Sequence, residues 1–126
     1  MSHVFHTRVW YEDTDLGGIV YHANYLKFIE RARSEWVEGL GIDQNAMRDD
    51  GTVFAVARIE ADFLRPARLG DRLEVHTTPA AITTARAVLD QRVLRGADTL
   101  FIARVTLAAL GPAGRPVRLP AALRGR

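Results

Sequence analysis

The sequence contains no cysteine. This absence excludes disulfide bonds, thiolate metal sites and a cysteine nucleophile, so any chemistry has to come from oxygen, nitrogen or backbone groups. The sequence also lacks an apolar run of the roughly 18 residues that a membrane helix needs. Its start, MSHVFHTRVW, has neither the basic nor the apolar part of a leader peptide. We therefore expect no membrane span and a cytoplasmic location.

Lysine is nearly absent, because Lys27 is the only lysine among the 17 basic residues. The planar arginine fork suits phosphate groups, which would serve a CoA or nucleotide ligand, but a genome-wide coding bias toward arginine would give the same skew. No contiguous basic face with stacking aromatic residues is visible, so we expect no nucleic-acid partner. With 126 residues, 48% of them hydrophobic and 25% charged, the chain fits one globular domain over residues 1–126.

Apolar periodicity divides the chain into one long helix and several strands. Alternation over residues 5–11 predicts a first strand, and apolar residues at three- and four-residue steps predict a long helix over residues 22–39. We expect Asn24 or the preceding turn to cap this helix, and Gly39 and Gly41 to end it. Four further strands are predicted over residues 53–63, 73–77, 85–93 and 100–110, followed by a loop-like tail. Short connections favour antiparallel neighbours, so the pattern predicts an α+β domain with one long helix on a five-stranded antiparallel sheet.

The densest group of chemistry-bearing residues lies between residues 10 and 25. Asp15 precedes the paired glycines Gly17 and Gly18, which predict a sharp turn. The helix starts a few residues later with unpaired N–H groups and a partial positive charge. A tetrahedral oxyanion would be stabilised there by the backbone N–H of His22 or its neighbour, while Asp15 attacks or activates water. An aspartate before a helix is also a common turn residue or N-cap. The residues by themselves leave both interpretations open.

The string VWYEDTDLGGIVYHANYLKFIERARSEW, over residues 9–36, resembles the signature of the 4-hydroxybenzoyl-CoA thioesterase family, and most closely its branch of Tol-Pal-associated acyl-CoA thioesterases. The segments ADFLRPARLGDRLEV and GRPVRLPAAL extend the resemblance over nearly the whole chain. The resemblance implies the hotdog fold and hydrolysis of an acyl-CoA thioester to a free acid and CoA, without a cofactor. It also implies that Asp15 is the nucleophile or general base, that the backbone N–H of His22 is the oxyanion donor, and that the His22 side chain is auxiliary.

The remaining site residues are expectations of lower specificity. Tyr21, Tyr25 and Gly18 are assigned to substrate binding, although aromatic residues at a helix start are more commonly part of the core. Glu12 and Asp13 are expected to be solvated. His3 and His6 would point to opposite faces of a strand and have no third ligand, so we predict no metal site. The candidates for holding CoA phosphates are Arg65, Arg68, Arg115, Arg118, Arg124 and Arg126.

The resemblance also implies binding partners, and two alternative functions remain open. It implies a homodimer with a continuous sheet, or a homotetramer, with an acyl carrier protein as a second source of thioester. One alternative is a non-catalytic acyl-thioester-binding or envelope-associated interaction module with the same fold. A hotdog hydratase or dehydratase is a weaker rival, because those enzymes resemble a different helix motif and use a histidine and acid pair.

Overall fold

The computed structural model describes residues 2–124. Its strands and helices are β1 (His3–Arg8), α1 (Asn24–Gly39), α2 (Gln44–Asp49), β2 (Val53–Phe63), β3 (Arg72–Ile82), β4 (Arg86–Arg95), β5 (Asp98–Leu110), β6 (Pro116–Val117) and α3 (Ala121–Arg124). A single 3-10 turn, Tyr11–Asp13, follows β1. The predicted hotdog arrangement, a long helix packed on an antiparallel sheet, is confirmed.

The sheet order is β1-β3-β4-β5-β2, and every pairing is antiparallel. The expectation that consecutive strands are neighbours is therefore wrong for β2, which pairs with β5 at the far edge instead of with β3. Residues 64–71 carry the chain from the β2 edge back to β3. We call them the crossing segment. The tail is also more regular than expected, since β6 adds a short sixth strand to β5 and α3 follows it.

Helix α1 covers only one side of the sheet, where it packs on β1, β3 and β4. Its buried stripe consists of Tyr25, Phe28, Ile29, Ala32, Arg33, Trp36 and Val37. Burying a side chain such as Phe28 or Ile29, both fully inaccessible, stabilises the fold by about 1.5–3 kcal/mol each. The helix ends at Gly39, as expected, and Gly41 beyond it adopts a positive φ of 84°. Strand β2 lies beyond this helix, and its face toward the helix side stays largely open to solvent.

A buried polar cluster fixes the helix on the sheet. Arg33, only 8% exposed, donates a hydrogen bond to Gln91 Oε1 at 3.0 Å. Gln91 Nε2 in turn donates to the Ile29 carbonyl and to Thr77 Oγ1, each at 2.9 Å. Burial lowers the pKa of Arg33, while the nearby charge of Glu30 acts in the opposite direction. These bonds connect the middle of α1 with β3 and β4, so the helix has a fixed position over the sheet.

The helices α1 and α2 start differently. Asn24 does not cap α1, because the N-cap position is Ala23, which makes no side-chain capping bond. The short helix α2, which begins after Asp43 and ends before the turn at Asp50 and Gly51, was not predicted from the sequence. The Asp43 side chain accepts hydrogen bonds from Asn45 N–H at 2.9 Å and from Ala46 N–H at 3.2 Å. Aspartate is a favoured N-cap residue, so this signal was present in the sequence.

None of the helices within residues 2–124 combines the length and the apolar character needed to cross a bilayer.

Candidate active site

The turn that carries Asp15 is closed by backbone hydrogen bonds. Thr14 and Val20 face each other in an isolated antiparallel bridge. The Asp15 N–H donates to the Ile19 carbonyl at 2.9 Å, and the Gly18 N–H donates to the Asp15 carbonyl at 3.0 Å. Gly18 has a φ of 77°, a left-handed conformation that favours glycine. The paired glycines therefore make a tight turn, as predicted.

The carboxylate of Asp15 is exposed to solvent at the tip of this turn. Its Oδ1 accepts a hydrogen bond from the Gly17 N–H at 2.9 Å, which is the geometry of an aspartate turn. A Cβ added to Gly17 would lie 3.2 Å from this oxygen, so glycine leaves the carboxylate room. The turn role and a chemical role are thus compatible, because Oδ2 has no hydrogen-bond partner within residues 2–124.

Asp13 is not solvated, contrary to expectation, because it is only 8% exposed. Its Oδ2 accepts a hydrogen bond from the Trp10 N–H at 2.9 Å. Its carbonyl accepts hydrogen bonds from the Tyr21 N–H at 3.0 Å and from Asn24 Nδ2 at 2.9 Å. Asp13 therefore connects the end of β1 with the first residue of α1, which explains why its carboxylate is turned inward. Glu12 is exposed, as expected.

Two backbone N–H groups immediately before α1 are free. Those of His22 and Ala23 donate to no acceptor within residues 2–124, whereas the N–H groups of Tyr21 and Asn24 on either side are both engaged. They lie at the positive end of the helix dipole, where an anion is stabilised. The His22 ring is exposed and lies 6.1 Å from the ring of Phe63. A free backbone N–H group is thus present at His22, the position predicted for the oxyanion donor.

An open cavity of about 310 Å³ lies against His22. Its lining residues are Ile19, Val20, His22, Tyr25, Phe63, Leu64, Arg65 and Pro66. Of the predicted site residues, the structure brings His22 and Tyr25 into this wall. Asp15 and Gly18 lie on the adjoining turn, and Tyr21, which is 46% exposed, lies outside the lining.

Tyr25 is both a core residue and a wall of the cavity. It is 4% exposed, and its ring stacks on Phe101 with 5.0 Å between ring centroids. Its hydroxyl accepts a hydrogen bond from the Ala67 N–H at 3.0 Å. Burial raises the pKa of Tyr25, and the hydrogen bond from Ala67 and the charge of Arg95 oppose that rise. Tyr25 therefore belongs to the hydrophobic core and also lines the cavity.

Sequence reasoning missed the second wall of the cavity, which consists of Phe63 and the crossing segment. Phe63 and Leu64 are large apolar residues that are 53% and 52% exposed. Pro66 lies beside them in the lining of the cavity. The signal that could have identified this wall is the apolar pair Phe63-Leu64 directly before an arginine and a proline, but nothing in the sequence states that it faces His22.

The arginine candidates separate clearly. Arg65 lines the cavity, and its Nη1 lies 3.4 Å from Asp98 Oδ1. Arg68 is exposed on the crossing segment, and Arg115 and Arg118 are exposed in the tail. Arg124 Nε donates to the Leu119 carbonyl at 2.7 Å, which gives it a local role in α3. Arg126 lies outside the described residues. Only Arg65 is therefore placed at the cavity among the candidates that the structure describes.

The two N-terminal histidines have separate partners. His3 Nε2 lies 3.0 Å from Glu35 Oε2 on α1, and His6 Nδ1 lies 4.0 Å from Glu74 Oε2 on β3. Within residues 2–124, no three histidine, aspartate or glutamate side chains are arranged to hold a metal ion.

Comparison with known proteins gives a consistent result. A family model described as "Thioesterase superfamily" matches residues 17–102, a range that begins just after Asp15. The acyl-CoA thioester hydrolase YbgC of Escherichia coli O6:H1 is 39% identical over 94 residues, which cover 75% of this chain and 70% of that protein. The 1,4-dihydroxy-2-naphthoyl-CoA hydrolase of Thermosynechococcus vestitus is 33% identical over 98 residues, with coverage of 76% and 67%.

A solved structure is similar over nearly the whole chain. The crystal structure described as a "Probable Thioesterase" from Bartonella henselae superposes with a TM-score of 0.91 at 35% sequence identity. The match covers 95% of this chain and 100% of that one. The similarity therefore includes the turn, α1 and the sheet, in the arrangement described above.

Proposed function

This chain belongs to the thioesterase superfamily, and from that membership we propose that it hydrolyses an acyl-CoA thioester to a free acid and CoA. The family match and the similar hydrolases confirm the family and the enzyme class expected from residues 9–36. The substrate and the roles of the residues are proposals. The observation that carries them is the pair of free N–H groups at His22 and Ala23, since His22 lines an apolar cavity and the exposed Asp15 is bonded through its N–H to Ile19 of the same lining.

In this proposal Asp15 supplies the basic oxygen of the reaction. As a general base it takes a proton from water, and the resulting hydroxide attacks the thioester carbon. As a nucleophile it attacks that carbon itself to give a mixed anhydride, which water then hydrolyses. In both routes the C–S bond breaks, and the thiolate leaves and is protonated. The free Oδ2 of Asp15 supports either role, since only Oδ1 is engaged by the Gly17 N–H.

The backbone N–H of His22 is the proposed oxyanion donor. A tetrahedral intermediate places a negative charge on the former carbonyl oxygen, and a free N–H at a helix start stabilises that charge without reorganising. The Ala23 N–H is free as well and would serve as the neighbouring donor. The His22 side chain is auxiliary in this scheme, because its exposed ring packs beside Tyr21 and Phe63.

The cavity between Tyr25 and Phe63 is the proposed acyl site. Aromatic walls suit an apolar acyl group, and we propose an aliphatic chain as the preferred class. Gly18 and Tyr21 would border the entrance on the side of the turn. Arg65, which lines the cavity, is proposed to contact the phosphates of CoA.

The open edge of β2 supports a dimer with a continuous sheet. Strand β2 is 11 residues long and pairs on only one side, and its apolar residues Val53 and Val56 are 41% and 46% exposed. An exposed apolar edge of this kind favours pairing with another strand. We propose that residues 1–126 act as one domain and that two copies, or four, form the working enzyme. Light scattering that shows a stable monomer would contradict this part.

The test of the function is the release of CoA from a panel of acyl-CoA substrates of increasing chain length, with an aromatic acyl-CoA included. We expect CoA release, with aliphatic chains preferred. A protein that binds acyl-CoA but releases no CoA would instead be the non-catalytic acyl-thioester-binding or envelope-associated module. The same assay with a thioester of acyl carrier protein tests whether the enzyme also accepts acyl groups from that carrier. A cytoplasmic location stays a prediction of the sequence.

A further inference from the structure

Backbone hydrogen bonds anchor the two ends of the crossing segment, from Leu64 and Arg65 to Leu100 and from Gly70 to Val9, and one arginine of a neighbouring strand bridges its interior. Arg95, near the end of β4, donates from Nη1 to the Pro66 carbonyl at 3.2 Å and to Asp71 Oδ2 at 2.8 Å. The same oxygen of Asp71 accepts the Arg68 N–H at 2.8 Å, and the Asp71 N–H donates to the Arg68 carbonyl at 3.0 Å. Arg95 therefore connects the start of the segment with its end.

Ala67, in the middle of this segment, is fully buried and is bonded on both sides to the candidate site. Its carbonyl accepts the Val20 N–H at 2.9 Å, and its N–H donates to the Tyr25 hydroxyl at 3.0 Å. Ile19, next to Val20, forms an isolated bridge with Arg68, and its carbonyl accepts the Asp15 N–H. A displacement of Ala67 would therefore also displace the Asp15 turn and the cavity wall at Tyr25.

The ion pair between Arg95 and Asp71 is partly accessible, with side chains 33% and 23% exposed. Burial acts to raise the pKa of Asp71, but the hydrogen bonds from the Arg68 N–H and from Arg95 outweigh it and lower that pKa. The hydrogen bond to Asp71 raises the pKa of Arg95. An accessible pair of this kind adds little to global stability, so its main consequence is local geometry.

We propose that Arg95 and Asp71 are positioning residues for the hydrolysis. Their ion pair holds the crossing segment so that Ala67 keeps Val20 and the Tyr25 hydroxyl in place, and with them the Asp15 turn and one wall of the cavity. The inference rests on the proposed function, because it assigns the pair a role in the same site.

The chain provides a matched control in the pair Arg104 and Asp90. Arg104 Nε and Nη2 lie 2.8 and 3.1 Å from the two carboxylate oxygens of Asp90. Its neighbours along β5, Ala103 and Val105, belong to the core under α1, so Arg104 points to the opposite face of the sheet. This pair has the same chemistry as the Arg95 pair and no contact with the site.

The experiment compares the steady-state release of CoA by Arg95→Met, Arg95→Lys and Arg104→Met. Because a displacement of about 1 Å can cost up to about 100-fold in rate, we expect Arg95→Met to lower kcat about tenfold with a smaller change in KM. Arg95→Lys should recover part of kcat, and Arg104→Met should match the wild type. Equal kcat values for Arg95→Met and Arg104→Met would overturn the proposal, whereas a wild type that releases no CoA would refute the proposed function instead.

Two further measurements separate positioning from loss of fold. Tyr25→Phe removes the hydroxyl that accepts the Ala67 N–H, so combining it with Arg95→Met should cost less than the product of the two single losses. A fully multiplicative loss would overturn the route through Ala67. Amide hydrogen exchange at Val20 requires no turnover: Arg95→Met should accelerate it about tenfold, since its acceptor is released, while Arg104→Met should not. Unchanged exchange in both variants would also overturn the proposal.

Discussion

Two irregular segments meet at the candidate site, and they contribute in different ways. The turn at residues 13–18 carries an exposed carboxylate and leads to the free N–H groups before α1. In the crossing segment the carboxylate of Asp71 is engaged by Arg95, and Ala67 bonds to Val20 and to Tyr25. Groups that react have to be accessible to the substrate, whereas groups that position them have to be fixed by hydrogen bonds. The Asp15 turn meets the first requirement, and the crossing segment meets the second.

The first way to sharpen this contrast is to remove the oxyanion donor itself. His22→Pro deletes the backbone N–H, and loss of one such donor typically costs about 100- to 1,000-fold in kcat. His22→Ala keeps the N–H and should retain most of the turnover, since the ring is exposed. The two variants are compared by CoA release and by circular dichroism, which checks that α1 is retained. Similar losses in both would place the contribution of His22 in its side chain and contradict the account.

The paired glycines test whether the carboxylate needs its exact position. A Cβ at Gly17 would lie 3.2 Å from Asp15 Oδ1, so Gly17→Ala should move the carboxylate and lower kcat by about tenfold. A Cβ at Gly18 meets nothing within 4 Å, but its φ of 77° makes Gly18→Ala a strain of about 1–2 kcal/mol that appears mainly in unfolding. Thermal melts and kcat measured together distinguish the two effects. A larger kcat loss for Gly18→Ala would argue against this view of the turn.

The smallest expected effect concerns stability and pH. Because the folded pKa of Asp71 is lowered, its stabilising contribution is present above the unfolded aspartate value of about 3.9 and is lost as the pH falls through the folded pKa. The hydrogen bond from Arg104 lowers the pKa of Asp90 in the same direction. Urea unfolding should therefore show Asp71→Asn and Asp90→Asn less stable than the wild type at pH 7 and closer to it in acid. Only Asp71→Asn should also lose turnover. Equal turnover in the two variants would show that the crossing segment does not position the site.

The sequence predicted the elements and the turn well, because those depend on local patterns. Alternation located the strands, and the order of Asp15, Gly17 and Gly18 is enough to indicate a tight turn before a helix. The order of the strands was not predictable in this way, since the pairing of β2 with β5 depends on packing between distant parts of the chain.

The supporting contacts of the site were also beyond sequence reasoning. The bond between Tyr25 and Ala67 joins residues 42 positions apart, and neither residue type indicates the other. Asp13 looked like a solvated acid among other acids, and only the return of the chain to Tyr21 and Asn24 explains its burial. What remained hidden is therefore the set of residues that positions the chemistry, and Arg95 belongs to it.

The most direct test of the central claim is the turnover of Asp15→Asn beside that of Asp43→Asn. Both aspartates accept an N–H from two residues ahead at 2.9 Å, and asparagine can keep that bond, so both variants should fold with similar stability. Asp43 caps α2 and does not line the cavity. We predict that Asp15→Asn lowers kcat about 100- to 10,000-fold while Asp43→Asn leaves it unchanged. Equal turnover by the two variants would show that Asp15 is only a turn residue.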